Sequence, residues 1–322
     1  MIELFNVTKI YSDRIKAVDN ISFHVKEAET VVLLGTSGCG KTTTLRMINL
    51  LEKPDSGKIL IDKKDQLQVA PEMLRRQIGY VLQHTGLFPH YSIAKNIAVV
   101  PSLLNWSKDR VNDRIRELME KLHLNGLDPY KTFPHQLSGG QQQRVGLARA
   151  LAANQSILLM DEPFGALDPI TRSQIRTEFK EIDELSQKTI LMVTHDVAEA
   201  FELADRICLM NQGKIVQVGT PTELLFNPSS DFVRNFLNVQ RLGLELRVLT
   251  LELLLPHMFC DDCTSDAYPL MDLSSSLQEL IERFSSDANN EKLSALWNQR
   301  TVCFTLAMVM KSFTTFKSGK YE

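Results

Sequence analysis

The sequence is poor in cysteine. Five residues (Cys39, Cys208, Cys260, Cys263 and Cys303) in 322 form an odd, sparse set that argues against a disulfide framework and suggests reduced thiols in a cytosolic protein. Neither charge sign is in excess: 36 Lys plus Arg oppose 39 Asp plus Glu. That balance gives no electrostatic ground for binding nucleic acid and supplies no charged tail. Long apolar runs are also missing. The longest, Val302 to Met310, has nine residues and carries Thr305, well short of the ~18 needed to cross a bilayer. The first residues, Met1 to Asn6, lack the basic start and apolar core of a signal peptide. The expectation is a chain that does not span a membrane. No fixed-period repeat is visible. What is present is the composition of a soluble globular protein, 43% hydrophobic and 23% charged, long enough for about two domains.

Residues 2–34 read as strands. Ile21 to Val25 alternates in polarity, whereas Thr30 to Leu34 is continuously apolar, as in a parallel strand buried on both faces. A glycine-rich turn follows, then a helix from Lys41 to about Leu51. The turn, Gly35-Thr36-Ser37-Gly38-Cys39-Gly40-Lys41-Thr42, matches G-x-x-x-x-G-K-[ST] at every position. Its glycines let successive backbone N–H groups point at phosphate oxygens. The helix start adds its positive dipole end, Lys41 a point charge, and Thr42 a hydroxyl for Mg²⁺. Cys39 reads as a spacer rather than a nucleophile, and Thr43 belongs to the same cradle.

Magnesium needs further oxygen ligands. The apolar run Ile157 to Met160 ends in Asp161-Glu162 and delivers two carboxylates at the carboxyl edge of a parallel sheet, where open α/β sheets bind ligands. Asp161 is expected to hold the metal and Glu162 to take or orient the proton of the attacking water. Strands alternating with helices to about residue 237 imply βαβ units. Val111, Ile115, Leu118 and Leu122 mark a helix with one buried face.

Leu137-Ser138-Gly139-Gly140-Gln141, taken with the two motifs above, resembles the signature of ABC transporter nucleotide-binding subunits, and the resemblance covers about residues 1–237. It implies an α/β P-loop NTPase core with a RecA-like parallel sheet. To this it adds an N-terminal antiparallel β subdomain and a helical signature subdomain at about 84–153. Gln83 sits where the family's glutamine touches Mg²⁺ and the lytic water. Asp168, in Gly165-Ala166-Leu167-Asp168, resembles the residue that crosses between protomers, and His195 the switch histidine at the γ-phosphate. Tyr11 is similar in position to the aromatic that stacks on adenine; an edge-strand tyrosine is the competing reading. Ser138 and the following glycines open a second helix start suited to an anion. Two such sites in one domain make sense if two subunits close head to tail around two ATP molecules.

Several segments further resemble ATPases of bacterial importers for glycine betaine, choline and related osmoprotectants. They include Arg75 to Gln83, Gly86 to His90, Ile97 to Pro101 and Leu167 to Arg172. The resemblance implies ATP and Mg²⁺ as cofactors and a homodimer or paired ATPase. Its partners would be integral-membrane permease subunits and a substrate-binding protein, at the cytoplasmic face of the cell membrane. The stretch Gly86 to His90, with Ile93 and Ile97, is the expected permease surface, with burial in the core as the competing reading. An amino-acid importer, a soluble ABC ATPase and a nucleotide-binding module without turnover stay open.

Composition shifts after Leu237. Residues 240–322 hold 8 Lys/Arg against 11 Asp/Glu, while residues 1–239 balance at 28 and 28. A boundary is expected near 238, followed over 239–322 by a small, mainly helical extension. There Leu242, Leu246, Leu249 and Leu253 keep helical spacing. Leu273, Leu277, Leu280, Ile281 and Phe284 mark an amphipathic helix entered through Ser274 to Ser276. The single C-x₂-C of Cys260 and Cys263, even with His257 and Cys303, is weak ground for a metal site.

Overall fold

The computed structural model describes residues 1–11, 15–83, 85–258, 260–262, 268–286 and 291–321. It divides into two compact units, Met1–Val218 and Gly219–Glu322.

In the first unit, β1 (Ile2–Ile10) and β2 (Lys16–Val25) precede β3 (Thr30–Gly35) and α1 (Lys41–Ile48). Next come β4 (Ser56–Ile61), β5 (Lys64–Asp65), α2 (Pro71–Arg76) and β6 (Ile78–Val81). Four helices follow: α3 (Ile93–Ile97), α4 (Val99–Leu103), α5 (Lys108–Lys121) and α6 (Gly139–Leu151). The chain then alternates through β7 (Ile157–Asp161), α7 (Pro169–Lys180), α8 (Asp183–Ser186), β8 (Thr189–Thr194), α9 (Val197–Leu203), β9 (Arg206–Asn211) and β10 (Lys214–Gly219).

Two sheets result. One has the order β2-β1-β4-β5 with antiparallel pairing, and the other the order β10-β9-β3-β8-β7-β6. In the second, the β3–β9, β3–β8, β8–β7 and β7–β6 pairs are parallel. β7 and β8 are buried along their whole length, which is why they read as unbroken apolar runs. β2, covered on one face, alternates. One core joins both sheets through Leu45, Met47 and Ile48 of α1, packed with Leu4 and Val18 on one side and Leu33, Leu159 and Val193 on the other. The phosphate-loop helix is therefore anchored by apolar burial over most of its length, and only its first turn is left for a ligand.

The second unit begins twenty residues before the boundary near 238 that composition suggests. Helices α10 (Pro221–Phe226) and α11 (Asp231–Asn238) belong to it. Phe226 packs edge-on against Phe316 with ring centroids 5.3 Å apart, and Arg241 donates to the Leu225 carbonyl at 3.1 Å. Apolar contact, not the charge shift, sets the division. Within this unit, α12 (Arg241–Val248) and α13 (Leu251–Leu254) are separate helices. Their buried residues are Leu244, Val248, Leu251 and Leu254, so the Leu242-Leu246-Leu249-Leu253 stripe is not the packed face. Glu245 is fully buried between Arg241 at 2.9 Å and Lys317 at 2.8 Å.

The extension is mainly helical, as expected, and also carries a small sheet. Besides α14 (Leu277–Ser286) and α15 (Leu306–Tyr321), the unit holds a three-stranded antiparallel sheet in the order β11 (Asp261–Asp262), β13 (Arg300–Phe304), β12 (Leu293–Trp297). Asn298 and Gln299 between β12 and β13 have φ of 50° and 64°, the two positive values of a tight hairpin turn that follows the strand twist. That turn carries no glycine, so the usual signal is missing. α14 starts as expected: Ser276 Oγ accepts from Glu279 N at 3.2 Å, and Glu279 Oε2 accepts from Ser276 N at 2.8 Å. Cys39 and Cys208 are free thiols. Cys303, on β13 opposite Asp261, is disulfide-bonded, against the expectation of reduced thiols throughout. Cys263 lies outside the described residues.

Candidate functional site

The turn after β3 is shaped by backbone demands. Gly38 has φ of 75° and Gly40 of 103°, and a Cβ on Gly40 would stand 2.3 Å from the Ala17 carbonyl oxygen. Only glycine meets both conditions. Gly40 also heads α1 without any side-chain cap, so the first N–H groups of the helix have no side-chain acceptor. Ser37 to Thr43 line a cleft of about 490 Å³, together with Ala17, Gln83, Glu162 and His195. Gly35 and Thr36 lie behind it and accept from Lys41 Nζ at 2.8 and 2.9 Å. Cys39 Sγ is 3.8 Å from the same ammonium, and burial pushes its thiol pKa up. That favours the spacer reading, since the thiolate is the reactive form.

The end of β7 brings the acids to the same mouth. Thr42 Oγ1 donates to Asp161 Oδ1 at 3.0 Å, joining the two expected metal ligands across the cleft floor. Asp161 is buried. Burial raises its pKa, and the Glu162 charge adds to this against the Thr42 hydrogen bond and the Arg46 and Lys41 charges. A buried carboxylate beside a hydroxyl is a pair of hard oxygen donors and fits Mg²⁺.

Glu162 stands at the centre of a second group. Gln83 Nε2 donates to its Oε2 at 2.9 Å, and His195 Nδ1 lies 3.1 Å from its Oε1. Gln83 is thus brought to the base through its Nε2. Glu162 itself holds φ of 45°, a left-handed conformation uncommon for a long side chain. Its N–H donates to the Val193 carbonyl at 2.9 Å, which fixes the turn in place.

The remaining sequence-derived residues lie elsewhere. Leu137 to Gln141 do not line the cleft. Ser138 caps α6 through a reciprocal pair: its Oγ accepts from Gln141 N at 3.3 Å, and Gln141 Oε1 accepts from Ser138 N at 3.0 Å. Ser138 and Gly139 are exposed, while Gly140 is buried with Thr171 and Ile175 where a Cβ would sit, 3.0 and 3.2 Å away. Asp168 caps α7, accepting from Ile170 N and Thr171 N at 3.2 and 3.1 Å, and these bonds lower its pKa. Tyr11 is exposed under the Lys9 ammonium, 5.6 Å from its ring centroid, and is not among the cleft residues. Ala17, which the sequence did not single out, does line the cleft, because β2 passes behind Gly40.

The segment after Gln83 splits between the two readings. Ile93 and Ile97 are core, whereas Phe88 and Tyr91 are exposed and in ring contact at 5.3 Å. Buried Asn96 holds the loop, accepting from Phe88 N at 2.8 Å and donating to the Phe88 and Tyr91 carbonyls at 3.1 Å. Arg149 donates to the Thr85 and Gly86 carbonyls at 2.8 and 2.7 Å.

A model of the ABC transporter family matches residues 18–165. The glycine betaine/carnitine/choline transport ATP-binding protein of Bacillus subtilis is 50% identical over 242 residues, covering 75% of this chain and 63% of that protein. The glycine betaine uptake system ATP-binding protein of Escherichia coli is 49% identical over 246 residues, covering 76% and 79%. The chain thus spans less than two thirds of the length of the Bacillus relative. A solved structure described as the dimeric form of a bacterial ABC transporter cassette superposes with a TM-score of 0.60 at 36% identity, over 68% of this chain and 98% of that one. No helix among the described residues is long and apolar enough to cross a membrane.

Proposed function

Because the chain belongs to the ABC transporter family, we propose that it is the ATP-hydrolysing subunit of an importer for a small quaternary-amine osmoprotectant. Glycine betaine, choline and carnitine are the solutes named for the relatives of about 50% identity. The observation that carries the reading is the cleft itself. A phosphate cradle, a hydroxyl–carboxylate pair and a carboxylate held by glutamine and histidine meet in one place.

In this reading N–H groups of Ser37 to Thr43 receive the phosphates, and Lys41 turns from the Gly35 and Thr36 carbonyls onto the β- and γ-oxygens. Thr42 and Asp161, with Gln83, would hold Mg²⁺, which when bound neutralises phosphate charge. Glu162 accepts the proton of the attacking water. Gln83 and His195 keep its two oxygens aimed, and His195 reaches the γ-phosphate. Tyr11 covers the adenine.

Ser138 to Gln141 and Asp168 serve the ATP of a second copy. The exposure of Ser138, Gly139 and Asp168, and the absence of all these residues from the cleft lining of one chain, support a shared site. The homodimer works on membrane-spanning permease subunits supplied with solute by a binding protein. It sits peripherally at the cytoplasmic face, with the Phe88–Tyr91 loop as docking surface. The test is uptake of labelled glycine betaine, with an amino acid as control, in cells carrying wild-type or Glu162→Gln protein. Loss of betaine uptake alone is the expected result; unchanged uptake in the variant removes the assignment.

A further inference from the structure

His195 is carried on a two-residue turn between β8 and α9, and the side chains on either side of it are held from behind. Thr194 Oγ1 accepts from Asp196 N at 3.0 Å and donates to Glu199 Oε2 in a short hydrogen bond. Asp196 caps α9 by accepting from Ala198 N and Glu199 N at 2.9 and 3.2 Å. Its other oxygen faces Arg172 and Arg176 of α7 at 3.6 and 4.0 Å. Glu199 is 3% exposed, and its Oε1 has no hydrogen-bond partner. A buried carboxylate with an empty oxygen is costly unless it does something.

We propose that Glu199 is a positioning residue for hydrolysis: through the Thr194 hydroxyl it fixes the His195 turn, and its negative charge tightens that hold. This rests on the role given to His195 above. The balance of protons gives the reason. Ionised Glu199 takes the single Thr194 hydroxyl proton in a charge-assisted bond, while the hydroxyl oxygen accepts from Asp196 N. Protonation of Glu199 removes that charge and, where the proton sits on Oε2, the acceptor as well, so the hold on Thr194 weakens. Three elements face Glu199: its own helix with Asp196, β8 with Thr194, and α7 with Arg172 and Arg176, the latter also 3.2 Å from Glu202. Burial, reinforced by the Asp196 charge, outweighs Thr194 and the two arginines and pushes the carboxyl up to about 7. The clamp is therefore tightest above that pH and loosened below it.

Two measurements decide. In nucleotide-free protein with ¹³C-labelled histidine, the His195 ring signal should carry an inflection near pH 7 besides its own titration. Glu199→Gln, which keeps an acceptor oxygen but cannot ionise, and Thr194→Val, which cuts the link, should both erase it. Absence of that inflection in wild type, or its survival in either variant, overturns the proposal. In the ATPase assay, wild-type kcat should fall as pH drops through about 7. Glu199→Gln should move the midpoint of that fall down by at least one pH unit with KM within about twofold, whereas an unchanged midpoint also overturns the proposal. A wild-type protein that hydrolyses no ATP would refute the functional reading instead, while the ring titration still decides the role of Glu199.

Discussion

Two helices of the first unit begin at glycine-rich motifs, and the way each is finished differs. α1 starts at Gly40 with no side-chain cap and a strained turn. α6 starts at Ser138 with both members of a capping box in place. The first leaves its orphan N–H groups for a ligand and depends on apolar anchoring further along to stay folded. The second satisfies two donors internally, which leaves it stable before anything binds. An anion site can thus be built open or ready-made. The open kind belongs to the chain that binds nucleotide first, and the ready-made kind to a surface that joins later.

The comparison breaks most visibly at the base. Glu162→Gln keeps the shape and the Gln83 contact but cannot take a proton. Hydrolysis should fall by about 10²–10⁴ while nucleotide binding at α1 persists, as read by single-turnover assay and by binding of a fluorescent ATP analogue. A wild-type rate would remove Glu162 from its role. Next comes Ser138→Arg, which fills the exposed start of α6. Monomer affinity should be unchanged, and hydrolysis should drop by about 10²–10³, the range for losing preorganised donors at a developing charge. Mixed with Lys41→Ala protein, part of the activity should return, because one composite site of the mixed dimer is then intact. No return despite demonstrated subunit exchange would count against sharing or against turnover from a single site.

Smaller in scale, Lys41→Ala removes a charge-assisted contact of about 1.5–3 kcal/mol, or roughly tenfold to a hundredfold in affinity. Calorimetry showing no loss would take Lys41 out of the site. Smallest is Ser138→Ala. Deleting the cap should cost about 1 kcal/mol and lower Tm by roughly 2–4 °C, without touching ATP affinity. A change in affinity there would mean the two helix starts are not independent.

What was legible in the sequence follows the same physics. The parallel strands announced themselves because two-sided burial leaves no polar residue in Ile157 to Met160 or Ile190 to Val193. The cradle did so because its backbone admits glycine at few places and in one order. The second unit was harder. Leucines recur there so densely that several helical stripes fit, and the packed one passes through Leu244 and Val248. Its β12–β13 hairpin turns on Asn298-Gln299, a pair with no strong turn signature. The contact between Glu162 and its two neighbours was not readable at all, since Gln83, Glu162 and His195 come from three strand ends that only the sheet order brings together. Nor was the Asp168 cap, which gives a residue expected to face a partner a duty inside its own helix.

The left-handed backbone at Glu162 bears on how this position can drift over generations. Folding alone would favour glycine or asparagine there, which adopt that conformation at little cost, whereas glutamate gives up about 1–3 kcal/mol. A lineage released from its catalytic task should therefore lose this residue early and gain stability as it does so. Retention of an acid at this strained place signals selection for turnover, not for the fold. Libraries screened only for thermal resistance should accordingly enrich Glu162→Gly among their first inactive survivors.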